Sequence, residues 1–136
     1  MRRAEDQEWL FRVSLSKWKI EGIDAPLADY RNSPAGLSAN LEAQLDAYID
    51  LLCHAEKHAP EIVRSARRIA VASMKLFCAR RALRFGLDTA AIRRYLFEAL
   101  REAPELIVRQ PRSVLGLLLA AVAPRGAHWL LSVARA

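Results

Sequence analysis

Two adjacent carboxylates, Glu5 and Asp6, stand in "AEDQEWLFRVSLS" at positions 4–16. A carboxylate within hydrogen-bond reach of a hydroxyl can take its proton as the oxygen attacks, so the pair offers a candidate general base and a supporting acid. The same residue types are ordinary at a helix start, where N–H groups lack partners and the dipole favours negative charge. His54 and His58 lie four apart with Cys53 adjacent, an i, i+4 pair that can chelate a metal. The stretch "HAEKH" departs from H-E-x-x-H, and two imidazoles near a helix C-terminus are also favoured by the dipole alone. His128 is isolated. Arg64, Arg67, Arg68, Lys75, Arg80, Arg81 and Arg84 follow one another with no acid between Ile62 and Leu87. The first four share a helical face, opposite Ile62, Ala66, Ile69 and Phe77, which reads as a solvated face or as a patch for phosphate or anionic lipid. No recognition motif or set of stacking aromatics accompanies them, so no nucleic-acid partner is expected.

Periodicity supplies the elements that must hold these groups. Trp9, Leu10, Val13 and Leu15 predict a helix from Asp6 to about Ser16, with the acidic pair at its head. Charged and apolar residues alternate in "KWKIEGI", Lys17 to Ile23, with Trp18 and Ile20 on one side, and "LADYR", Leu27 to Arg31, is a second extended piece. Both predict short strands. Asn32 to Ser38 is loop by composition. A second helix is expected from Ala39 to Lys57 on Leu41, Leu45, Tyr48, Ile49 and Leu52. A third runs from Pro60 to Phe85 and stops at Gly86, and a fourth runs from its N-cap Asp88 to Ala103, before Pro104. Two short helices follow, over 112–122 and 125–133, parted by Pro124. The expected fold class is mainly α: a short α-β-β piece over residues 1–37, then an all-helical region over 38–136. Helices three and four, ending in "EALREAPEL", resemble one tetratricopeptide-like hairpin, with no second copy in the chain.

A chain of 136 residues suits one domain, and 53% hydrophobic content supports a packed core and argues against disorder. The net charge of +6 favours an anionic partner, whether phosphate, nucleic acid or membrane surface. Two distant cysteines without C-x-x-C argue against a disulfide framework and fit a reducing cytoplasm, with both thiols expected to be buried. No charged-then-apolar leader opens the sequence, so no secretory signal is expected. The longest uncharged apolar run, Ser113 to Pro124, falls short of the roughly 20 residues of a membrane span. The two C-terminal helices are apolar and edged by Arg109, Arg112, Arg125 and Arg135, with Trp129 as a candidate interface anchor. They either pack on helices two to four or lie on an anionic membrane surface, which would make the protein cytoplasmic and peripheral at the inner membrane face.

The order of motifs carries a resemblance. "AEDQEWLFRVSLS", then "KWKIEGIDAPLADYR", then "NSPAGLSAN" resembles the C-terminal part of the catalytic domain of a family 2 glycosyltransferase, of GT-A fold. In that family an acidic pair opens a helix with a large aromatic and an arginine, and a strand pair ends in Tyr-Arg before a Ser-rich loop. "RRALRFGLDTAAIRRYLFEALREAPELIVRQPRSVLGLLLAAV" looks like the helical tail behind such domains in many bacterial members.

The resemblance implies transfer of a sugar from a nucleotide-sugar to an acceptor hydroxyl. It implies Asp6 as general base and Glu5 as supporting acid, while Arg31 is either a phosphate contact or a surface arginine at a strand end. A divalent Mg or Mn ion is implied for the full-length family, held by an Asp-x-Asp motif in a donor-binding half. This sequence contains no Asp-x-Asp and no Gly-rich phosphate loop, and its acidic pair comes a few residues after Met1. The chain is therefore expected to be a fragment, with no cofactor of its own, inactive alone and partnered by a missing N-terminal half. Some members carry a histidine after Tyr-Arg, where this chain has Asn32 and Ser33. The alternatives are a stand-alone helical interaction module with a basic face, or a peripheral membrane-binding helical protein.

Overall fold

The computed structural model describes residues 4–16, 18–28, 36 and 39–122. Among them it has six helices: α1 (Glu5–Leu15), α2 (Leu41–Glu56), α3 (Pro60–Arg84), α4 (Thr89–Glu102), α5 (Leu106–Arg109) and α6 (Pro111–Val122). The chain divides into two compact units, Met1–Val63 and Arg64–Ala136. The mainly α expectation holds, and the helices start and stop for local reasons. Asn40 caps α2, its side-chain oxygen accepting from the Ala43 N–H at 3.0 Å. Pro60 opens α3, where its missing N–H costs nothing. Gly86 follows α3 at φ 64°, with its N–H donating to the Leu83 carbonyl and the Leu87 N–H to that of Ala82. That is a Schellman closure, and a side chain at Gly86 would strain it. Asp88 sits at the N-cap of α4 as expected, but its side chain makes no capping hydrogen bond.

The expected strand pair is corrected. Residues 18–28 are neither helix nor strand, and no strand occurs among the described residues. The alternation of "KWKIEGI" fits a strand, but a strand exists only against a partner, and a lone two-stranded hairpin is marginal in water. Here Trp18 and Ile20, the apolar side of that alternation, are exposed at 79% and 57%. The end of the second predicted strand, the loop that follows it and the predicted helix over 125–133 lie outside the described residues. Helix α5 was not anticipated; it is a single turn held between Pro104 and Pro111.

In the first unit, Leu41, Leu45, Leu51 and Ala55 form the buried side of α2. Cys53 lies on the other side and is exposed, against expectation, while Cys78 is buried. The second unit centres on Leu76, Cys78, Leu96, Leu106, Val114 and Leu117, drawn from four helices. On α4 the buried stripe is Ile92, Tyr95, Leu96 and Ala99, at i, i+3, i+4 and i+7.

On α3 the buried stripe differs from the sequence expectation. Ile62 and Ala66 are exposed, and Ala72, Leu76, Ala79 and Ala82 are fully buried. Alanines at this spacing let a neighbouring helix approach closely. The cations then rim the buried stripe instead of opposing the core. Lys75 bonds Glu98 at 3.1 Å and also Glu102, while Arg68 bonds Glu105 and donates to the Glu102 carbonyl at 2.8 Å. Lys75 pairs with the middle of α4 and Arg68 with its end, so α3 and α4 run antiparallel as a hairpin. Part of the basic face is thus a charge seam, and Arg68 also satisfies a carbonyl that the end of α4 leaves unpaired.

The seam has a pH signature. The hydrogen bond from Arg68, then one from its own backbone, holds Glu105 below the usual carboxylate range. A lowered folded value means that the contribution is present above the unfolded pKa, about 4.3, and is lost as pH falls through the folded value. Acid titration of thermal stability should therefore steepen below about pH 4.3, and Glu105→Gln should flatten that limb. An unchanged acid limb in the variant would remove the assignment.

Candidate functional site

Helix α1 begins at Glu5, one residue earlier than the periodicity predicts, and its first turn holds Glu5, Asp6 and Glu8. Ala4 occupies the N-cap and supplies no side-chain bond, and the first-turn acids face the positive end of the helix dipole. Asp6 Oδ1 accepts from the Gln7 N–H at 2.8 Å. Glu5 and Asp6 are both exposed. At the far end, Ser16 Oγ donates to the Val13 carbonyl at 2.7 Å and accepts from the Trp18 N–H at 3.1 Å. These bonds fix the departure of the chain from α1 but bring no further acid or base to the pair.

Arg31, with Tyr30, Asn32 and Ser33, lies outside the described residues. The acidic pair is therefore described without its expected phosphate contact.

A second grouping joins α1 to α2 within the first unit. Glu8 Oε1 lies 2.8 Å from Arg12 Nε and 3.9 Å from His54 Nε2. The His54 and His58 rings meet edge to face, centroids 5.1 Å apart. The histidine pair was visible from its spacing. Its neighbour Glu8 was not, because that proximity depends on how α1 lies on α2. Among the described residues no group of three His, Cys, Asp or Glu side chains could hold a metal ion.

In the second unit three further arginines make structural contacts. Arg80 donates to Gln110 Oε1 at 3.1 Å and Ser113 Oγ at 3.2 Å, and burial, then the nearby Arg84, lowers its pKa. Arg81 is buried, with its guanidinium 5.7 Å from the Phe77 ring and 4.9 Å from the Phe85 ring. Arg93 donates from Nε and Nη2 to the Ala121 carbonyl at 2.8 and 2.6 Å, closing the last turn of α6. No sequence signal pointed to Arg93, since its acceptor is a backbone carbonyl on another helix.

Comparison with protein-family models, curated proteins and solved structures finds no match for this chain. No helix among the described residues is long and apolar enough to cross a membrane.

Proposed function

We propose that this chain forms the acceptor-side end of a family 2 glycosyltransferase catalytic domain, together with its helical tail. The observation that carries the reading is an exposed Glu5–Asp6 pair in the first turn of a helix, within a residue order that resembles that family. The helical region behind it is consistent with such a tail, whereas residues 18–28, which are not strand, lend no support. In this reading Asp6 takes the proton of an acceptor hydroxyl as its oxygen attacks the anomeric carbon, and the bond from that carbon to the donor's phosphate oxygen breaks, releasing the nucleotide. Glu5 holds charge and position beside it, and Arg31 faces a phosphate. The donor and its divalent ion belong to a half of the enzyme that these residues do not supply.

The test is sugar transfer from a panel of nucleotide-sugars, measured for the 136-residue chain and for the chain joined to a donor-binding GT-A half. The chain alone should be silent and the joined protein should transfer. A joined protein that binds a nucleotide-sugar yet transfers nothing to any hydroxyl acceptor would overturn the reading.

A second reading is a helical interaction module of tetratricopeptide-like character, favoured by the antiparallel α3–α4 hairpin. The engagement of Arg68 and Lys75 by glutamates weakens its basic face as a docking surface.

A further inference from the structure

Helix α6 is apolar on both sides, yet among the described residues only one side is covered. Val114, Leu117, Ala120 and Ala121 are buried. Leu115, Leu118, Leu119 and Val122, at i, i+3, i+4 and i+7, form a second stripe that faces outward, with Leu115 60% and Val122 79% exposed. Ile107 and Val108 of the preceding α5 are exposed as well, at 52% and 83%. A contiguous outward stripe of this kind, unlike single exposed leucines, marks an interaction surface.

The charges around the stripe say what kind of surface. Arg109 and Arg112 are exposed where it begins, and the Arg93 guanidinium sits at its far end, on the Ala121 carbonyl. No acid follows Glu105 in the sequence. The nearest acids, Glu98, Glu102 and Glu105, are engaged by Lys75 and Arg68 of α3. The stripe is therefore leucine rimmed by arginine, with Glu105, shared between Arg68 and Arg109, as the acid near its start.

We propose that the outer face of α5 and α6 lies flat on an anionic lipid surface, with the leucines at the headgroup–acyl boundary and Arg109 and Arg112 among the headgroups. At 12 residues α6 is about 18 Å long, which suits a helix lying in the interface plane and not one crossing it. A second copy of this chain is a poorer occupant, because an isologous contact would set arginine rims of the same sign together. The inference stands on the second unit alone and is independent of the glycosyltransferase reading.

The test is co-sedimentation of the full chain with phosphatidylcholine vesicles, with and without about one-third phosphatidylserine. Binding is expected only with phosphatidylserine and should weaken with salt. Leu115→Glu combined with Leu119→Glu should reduce it about ten-fold or more. Both positions are exposed, so the helical circular dichroism and melt should persist. Arg109→Gln with Arg112→Gln, which touches no packing, gives an independent arm and should also weaken binding. No sedimentation with anionic vesicles, or equal sedimentation with neutral ones, overturns the proposal. So does leucine-dependent dimerisation without vesicle binding, or binding that appears only after residues 123–136 are removed. The first of these would assign the stripe to a second copy, and the second to the chain's own C-terminal segment.

Discussion

Asp6→Asn is expected to lower kcat by about 10²- to 10⁴-fold in a sugar-transferring enzyme built on this chain, which is the range lost with a positioned general base. The substitution isolates proton transfer well. The amide keeps an oxygen to accept from the Gln7 N–H, as Oδ1 does at 2.8 Å, so the start of α1 should be preserved. The acceptor KM should change little, because shape and hydrogen-bonding reach are nearly the same. Glu5→Gln is the companion experiment. It removes a neighbouring charge and not the base, so its loss should be clearly smaller, and the two pH–rate profiles should differ on the acid limb. Turnover within a factor of a few of the parent enzyme in Asp6→Asn would reduce Glu5 and Asp6 to what their positions also allow: first-turn acids that stabilise a helix.

The second large effect is on stability. Leu96 on α4 is fully buried, whereas its neighbour Phe97 is 58% exposed. Leu96→Ala removes buried methylenes and leaves a cavity that rigid helices close only partly, at a cost of about 2–5 kcal/mol. Phe97→Ala deletes a larger side chain but should shift stability by no more than about 0.5–1 kcal/mol, because its surface is already largely hydrated. Urea unfolding followed by circular dichroism separates the two. The Leu96→Ala midpoint should fall with the slope unchanged, and equal shifts for both variants would contradict the packing of α4.

What the sequence made legible depended on whether the cause was local. Pro60, Gly86 and Asp88 punctuate the chain through their own backbone geometry, and the ends of α3 and α4 fall within a residue or two of expectation. The alternation in "KWKIEGI" is a real pattern, but it records which side chains share a face and not whether a strand is there to pair with. The cations of α3 were read as one helix's outward face, because the i, i+4, i+7 run Glu98, Glu102, Glu105 that receives Arg68 and Lys75 belongs to another part of the chain. Cys53 was misplaced for a similar reason: composition favours buried thiols, but the covered side of α2 is Leu51 and Ala55. At the candidate site, the acidic pair and its helix start were readable, and so was the His54–His58 spacing. The approach of Glu8 to His54 was not, being a product of how two helices meet.

The glutamates of the seam are bracketed by arginine on the same side of the chain, Arg94 before them and Arg109 after. A slip of α4 along α3 by one turn, about 5.4 Å, would in one direction carry Arg94 toward Lys75. The seam thus works as a vernier: it indexes the hairpin to one setting by making that slip repulsive.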